Sequence, residues 1–238
     1  MEPRTPPSNS PAAMVEVWES AARLQQLVPD AVLVGGSAAV LHASHRLSID
    51  HDHVIADLSD RFDLVLEALE SDPEWITNRV QPGKIILGQL GGIESGVRQL
   101  IRTRPLETTV VTLPSDRQLT VPTAEETLRI KGYLIVKRNQ VRDYLDVMAL
   151  SNRYGLTESA RVLRQIDSYY ADQRQTAGLS SAGVASQLVR QLADPRPRDR
   201  TTMEELPRYK GLAPQWQDWR DVSAACRVLA VAVTEADA

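Results

Sequence analysis

The sequence predicts an α+β protein, with a mixed sheet in its N-terminal half and helices in its C-terminal half. Two observations predict it. Between Ala31 and Leu113, short apolar runs alternate with breaks at Pro82-Gly83, Gly91-Gly92 and Arg104-Pro105, the signature of strands and turns. Beyond Pro122 the pattern stays helical to about Asn152, and further helical stretches follow.

In chain order, residues 1–12 hold Pro3, Pro6, Pro7 and Pro11 among small polar residues, so a loose tail is expected. Met14, Val17, Ala21, Leu24 and Val28 recur at helical spacing, predicting a helix over Met14–Leu27 that ends near Pro29. Ala31–Val34 is a continuous apolar run and reads as a buried strand. Gly35-Gly36-Ser37 then makes a turn into a helix over Ala38–Ala43. A second strand is expected over His51–Ala56, and a helix over Arg61–Glu70 with Phe62, Val65, Leu66 and Leu69 inward. Strands follow at Trp75–Val80, Lys84–Leu90, Gly96–Arg102 and Thr108–Leu113. Thr123 and Glu126 suit a capping box that opens the long helical stretch. Later helices are expected at Glu158–Ala171, Ala182–Ala193 and Trp216–Thr234, with Asp194–Arg200, which alternates Pro and Arg, as a linker. The expected organisation is a tail (1–12), a sheet-containing core (13–121) and a helical domain (122–238).

Composition sets the outer bounds. With 42% hydrophobic and 24% charged residues, the 238-residue chain falls in the globular class rather than among disordered, collagen-like or coiled-coil proteins. The 27 Lys and Arg against 31 Asp and Glu exclude a dedicated basic coat for nucleic acid but leave room for a local basic groove. Cys226 is the single cysteine, so no internal disulfide forms. The N-terminus lacks an apolar signal segment and no run approaches the roughly 18 apolar residues of a membrane span, so a cytoplasmic protein without a membrane partner is expected.

All four histidines, His42, His45, His51 and His53, lie in one stretch that also holds Asp50 and Asp52. The two aspartates are two residues apart at the start of a strand, so their carboxylates leave the same face. They repel each other unless a cation lies between them, and hard oxygen ligands suit Mg²⁺ sharing its shell with phosphates and water. The bland alternative is a chance pair on a solvent face. Gly35-Gly36-Ser37 lets a phosphate approach backbone amides at a helix start, or is simply a tight turn. Lys131 shares a helix face with Ala124, Leu128 and Ile135, so it needs an anionic partner or snorkels to water. Asp143 and Asp146 share a face with Val147 and Leu150, so at least one points inward; a structural pair with Lys137, Arg138 or Arg142 is the alternative. Arg79, Lys84, Arg98, Arg102 and Arg104 line either a polyanion groove or a charged strand edge. The histidines with the aspartates also match the ligand inventory of a metal-dependent hydrolase. Strand alternation opposes that reading, since it turns His51 and His53 away from the carboxylates.

The segments VGGSAAVLHASHRLSIDHDHVI and KGYLIVKRNQVRDYLDVMAL resemble the nucleotidyltransferase AbiEii/AbiGii toxin family, a branch of the DNA polymerase beta-like nucleotidyltransferases. The resemblance runs over about residues 31–150 through Gly35-Gly36-Ser37, Arg46-x-Ser48-x-Asp50-x-Asp52, Lys131 and Arg142-Asp143-x-x-Asp146. It implies a polymerase beta-like core with a helical C-terminal domain and an active site between them. Asp50 and Asp52 would hold Mg²⁺, or Mn²⁺ in its place. Gly35, Gly36, Ser37, Ser48 and Lys131 would bind the NTP, and Lys131, Asp146 or Asp143 would join the aspartates in catalysis. The implied reaction moves a nucleoside monophosphate to a hydroxyl of RNA, such as a tRNA 3′ end, or of protein. A toxin role with an antitoxin partner, in a toxin-antitoxin or phage-defence pair, goes with it. His51 departs from the apolar residue common between the family's aspartates, and Glu94 is the nearest candidate for a third strand carboxylate. A catalytically idle partner-binding module of the same fold is the remaining alternative.

Overall fold

The computed structural model describes residues 5–8, 10–173 and 183–236. The chain forms two compact units, Met1–Thr123 and Ala124–Ala238. Parts of the expected tail (residues 1–4 and 9) and Ala182, the expected start of a late helix, lie outside the described residues. Among the described residues no helix is long and apolar enough to cross a membrane.

The first unit runs α1 (Ala12–Leu27), β1 (Val32–Val34), α2 (Gly35–Ala43), β2 (Asp50–Ile55), α3 (Phe62–Glu70), β3 (Trp75–Gln81), β4 (Ile85–Leu90), β5 (Ile93–Gln99), β6 (Thr108–Thr112) and β7 (Gln118–Pro122). Five strands form a mixed sheet in the order β1-β2-β5-β4-β3, in which only the β2–β5 pair is parallel. Side chains alternate across it. Ile55, Trp75, Ile86, Leu90 and Val97 are buried with Leu24 and Val28 at the end of α1 and with Phe62, Val65 and Leu69 of α3. Each such fully buried side chain contributes about 1.5–3 kcal/mol. The opposite face keeps Asp50, Asp52 and Val54 of β2 partly exposed.

A second cluster joins Met14, Trp18 and Ala21 of α1 to Leu33, to Ala38, Val40 and Leu41 of α2, and to Val111, Leu119 and Val121 of the β6–β7 hairpin. Gln25, although polar, is buried because its amide donates to the Thr120 carbonyl and accepts from the Thr120 amide, both at 2.8 Å. One helical side chain thus completes the backbone bonding of β7.

Several expectations change. Gly35, Gly36 and Ser37 are the first turn of α2 rather than a loop before it, because Val34 leads directly into the helix. β5 starts at Ile93 instead of Gly96, since strand pairing on both sides carries the chain through the glycine. β7, unanticipated, pairs with β6 through a turn in which Asp116 takes φ +65°. The long helix after Pro122 is two helices, α4 (Ala124–Arg138) and α5 (Val141–Tyr154), broken where Asn139 adopts φ +52°.

The second unit continues with α6 (Leu156–Arg164), α7 (Ile166–Tyr169), α8 (Val184–Ala193), α9 (Arg200–Glu204) and α10 (Trp219–Glu235). Gly132 lets α6 and α8 close onto α4: a Cβ there would stand 2.8 Å from Leu163 Cδ2 and 3.2 Å from Leu188 Cδ2. The expected linker, Asp194–Arg200, is stitched down instead. Asn139 donates to the Arg196 carbonyl at 2.7 Å, its own carbonyl accepts from Arg198 N at 2.9 Å, and Asp199 accepts from Val141 N at 2.9 Å.

Candidate functional site

In the first unit the site grows from three adjacent strand ends. β1 and β2 are antiparallel with Val34 opposite Asp52, so the chain leaving β1 enters α2 beside that aspartate. Gly35 takes φ +76°, and a Cβ on it would lie 3.6 Å from Asp52 Cβ. Gly36 has a stricter constraint, since a Cβ there would stand 2.5 Å from Ser48 Oγ and 2.8 Å from Arg46 Nη2. The first turn of α2 leaves its amides without partners inside the helix, facing the side where anions are favoured.

Ser37 is buried, and its hydroxyl donates to the backbone carbonyl of Asp50. Its side chain therefore fixes β2 to α2, which leaves only its amide for the expected phosphate contact. Ser48, also buried, donates to Asp50 Oδ1 at 3.0 Å, so it holds the carboxylate rather than standing free for a phosphate. Arg46 is 6% exposed and donates to the Leu47 carbonyl at 2.9 Å. It shares the crowded space below Gly36.

Across the parallel pair, Asp50 is in register with Glu94 and Asp52 with Gly96. In-register residues of neighbouring strands share a face. Glu94 is thus the acidic neighbour of Asp50 on that face, a placement that the sequence left open. Gly96 makes room for Asp52, because a Cβ there would come 2.9 Å from Asp52 Oδ1 and 2.8 Å from Leu87 Cδ2. The sequence sets Arg98 among possible groove residues, but its Nε donates to Asp52 Oδ1 at 3.2 Å. Arg102 departs from the groove expectation: it is buried and donates to the carbonyls of Arg104 and Pro105 at 2.9 and 3.1 Å. Arg79, Lys84 and Arg104 are exposed.

His51 and His53 face the other way, into the core. His51 Nε2 lies 3.0 Å from Ser20 Oγ and 2.9 Å from Ser95 Oγ, and its ring stands edge-on to His53. Burial pushes His51 down to about 4, with Asp50 opposing the shift. Burial and the neighbouring His51 hold His53 well below its ordinary range, against nearby backbone groups of Ala21 and Gly96. His42 Nε2 sits 2.9 Å from the Pro122 carbonyl. Both strand histidines are therefore neutral core groups on the far side of the sheet from the aspartates, which removes the ligand set a histidine-aspartate hydrolase needs.

In the second unit, Lys131 meets Asp146 at 2.7 Å, with both side chains almost wholly buried (2% and 0% exposed). Asp143 receives two bonds of 2.6 Å from Arg138, across the break between α4 and α5. Glu126 is buried and accepts from Arg129 at 2.7 Å, while the Arg129 guanidinium lies 3.9 Å over the Tyr169 ring. Periodicity left Lys131 either an anionic partner or a path to water; packing of α4 on α5 gives it Asp146.

Among the described residues no group of three His, Cys, Asp or Glu side chains converges as a metal cage. The pair Asp50 and Asp52 still suits a hard divalent cation. Both present oxygen from one partly exposed face, and Asp52 already draws a guanidinium to the oxygen concerned. Mg²⁺ typically takes one or two carboxylates and completes its shell with water and substrate phosphates.

No protein-family model matches the chain. It is 31% identical over 244 residues to the heme uptake protein MmpL11 of Mycobacterium tuberculosis H37Rv, covering 92% of this chain and 22% of that protein. It is 40% identical over 134 residues to the mycolic acid-containing lipids exporter MmpL11 of Mycolicibacterium smegmatis, covering 56% of this chain and 13% of that protein. The chain thus spans less than a quarter of the length of these curated relatives. Among solved structures, MenT4, a nucleotidyltransferase toxin of Mycobacterium tuberculosis H37Rv, superposes with a TM-score of 0.63 at 17% identity, over 95% of this chain and 84% of that one. The strand–helix–strand unit that carries Gly35, Gly36, Asp50 and Asp52, and the helices after it, form an α+β nucleotidyltransferase fold.

Proposed function

We propose that the chain is a divalent-metal-dependent nucleotidyltransferase, moving a nucleoside monophosphate from an NTP to a hydroxyl acceptor with release of pyrophosphate. One observation carries this reading: Asp50 and Asp52 share a partly exposed strand face directly beside the glycine start of α2. Asp50 and Asp52 would hold the ion. Mg²⁺ or Mn²⁺, when bound, neutralises the triphosphate and stabilises charge on the attacking and leaving oxygens.

The protein's own groups do the positioning. Ser48 holds the Asp50 carboxylate, and Ser37 anchors the Asp50 backbone. The amides of Gly36 and Ser37 would bind phosphate oxygens at the helix start, where the dipole favours negative charge. Glu94, in register with Asp50, would add a third carboxylate to the face. The motif resemblance gives Lys131 a nucleotide-binding role, and within the second unit Asp146 is its partner at 2.7 Å. The bidentate pair of Asp143 with Arg138 favours a structural role for that acid over activation of the acceptor.

The acceptor would be an RNA, such as a tRNA 3′ end, and the physiological setting a toxin controlled by an antitoxin. Support for this comes from the motif resemblance and from the fold shared with the toxin MenT4. The test incubates purified protein with Mg²⁺, total cellular RNA and each radiolabelled ribonucleoside triphosphate in turn. Label is expected in RNA with a preference for one base, and Asp50→Ala abolishes it. Label in protein alone moves the acceptor to a protein hydroxyl. Absence of transfer from every NTP overturns the reading.

A further inference from the structure

Arg98 sits on β5, in register with Val54 of β2 and Ile85 of β4, on the sheet face that bears Asp50 and Asp52. Its side chain reaches back along the strand past Gly96 to place Nε 3.2 Å from Asp52 Oδ1. Gly96 makes that approach possible, since a side chain there would contact the same carboxylate oxygen. The two carboxylates are therefore handled differently: Asp50 is held by the hydroxyl of Ser48, and Asp52 by a cation. Neither Arg98 nor Asp52 is deeply buried, with side chains 44% and 33% exposed.

A pair this accessible is weak, because water screens it and the arginine gives up rotamer freedom to form it. A divalent ion on the same oxygen carries twice the charge at a shorter distance, so it wins the carboxylate and repels the guanidinium. An arginine released in this way keeps its planar fork of donors, a shape that matches phosphate oxygens.

We propose that Arg98 is an exchangeable stand-in cation: it neutralises Asp52 in the metal-free protein and moves to a phosphate of the nucleotide when metal arrives. The inference rests on the reading that Asp50 and Asp52 hold the divalent ion. Arg98 is a positioning residue in this scheme, and it couples metal entry to the appearance of a phosphate-binding group. Metal alone then binds against competition, whereas metal together with a polyphosphate does not.

The opposite signs of these two effects make the test. Mn²⁺ binding to the full chain is followed by the loss of the free-ion electron paramagnetic resonance signal, first with Mn²⁺ alone and then with inorganic tripolyphosphate added. Arg98→Gln should tighten Mn²⁺ binding about three- to tenfold, the release of a weak competing pair plus one nearby positive charge. The same variant should weaken retention of the Mn²⁺–tripolyphosphate complex by a comparable factor, and Arg98→Lys should fall between it and the unaltered protein in both measurements. A merely structural arginine predicts weaker Mn²⁺ binding on removal. Unchanged or weaker Mn²⁺ binding in Arg98→Gln, with binding still lost in Asp50→Asn, overturns the exchange and leaves the metal reading standing. Mn²⁺ binding that survives Asp50→Asn, or is absent from every protein, overturns the metal reading and the exchange with it.

Discussion

A Cβ on Gly36 would stand 2.5 Å from Ser48 Oγ and 2.8 Å from Arg46 Nη2, so a side chain there must displace these two buried groups. Gly36→Ala should therefore push Ser48 off Asp50 and cost about 1–3 kcal/mol, the usual range for overpacking. Chemical denaturation measures the stability, and the labelling assay should show a larger loss than the stability change explains. The Lys131–Asp146 pair offers a cleaner separation of fold from chemistry. Lys131→Met leaves a buried carboxylate without its ammonium and should destabilise the second unit by about 3–5 kcal/mol. Lys131→Met with Asp146→Leu removes both charges and should recover most of that stability in the same denaturation assay. If Lys131 acts on the triphosphate, the double variant folds yet transfers no label; retained transfer would confine the pair to packing. At this scale the aspartates were legible because a two-residue spacing on a strand is itself a geometric statement. The engagement of Ser37 and Ser48 was not, since a hydroxyl beside a glycine turn bonds a phosphate or a carbonyl equally well.

Elements show where local pattern loses to packing. A helical pattern runs without interruption across Asn139, yet the chain turns there in the left-handed region that asparagine tolerates better than most residues. What holds the turn is remote: the Tyr144 hydroxyl donates to Asn139 Oδ1 at 2.6 Å, and the segment around Arg196 and Arg198 bonds its amide and carbonyl. Asn139→Ala should cost about 2–3 kcal/mol, from lost hydrogen bonds and an alanine forced to positive φ. Asn139→Gly should cost less, and comparison of their denaturation midpoints separates backbone strain from lost bonds. Asp194–Arg200 illustrates the converse, because proline and arginine in alternation suit a linker while its backbone and Asp199 satisfy the α4–α5 turn. β7 has little local signature for a related reason. Gln118–Pro122 offers only Leu119 and Val121 as an inward pair, and its strand character comes from β6 on one edge and Gln25 on the other.

For the whole molecule, two buried neutral histidines make folding sensitive to acid. The unfolded chain protonates His51 and His53 as pH falls through 6.5, whereas folded His51 waits until about 4 and folded His53 resists further. Above 6.5 neither state carries the extra protons, and stability is complete. Between 6.5 and about 4 the unfolded state binds more protons, so stability falls by up to about 1.4 kcal/mol per pH unit for each histidine. Urea midpoints across that window should show the decline, and His51→Gln should make it shallower; an unchanged slope would mean that His51 is protonated in the fold. The sequence by itself determined the α+β class, the shared face of Asp50 and Asp52, the place of Gly35-Gly36-Ser37 between the first strand and the next helix, and the position of Lys131 on an apolar helix face. Those are local facts, written in periods of two and of three to four residues. Tertiary structure alone decided that β2 runs parallel to β5, past the sequence-adjacent β3 and β4. That pairing brings Glu94 beside Asp50, opens Gly96 beneath Asp52 and delivers Arg98 to its carboxylate. Strand register is a property of two segments about 40 residues apart, selected by the burial of one whole sheet face, and no local pattern contains it.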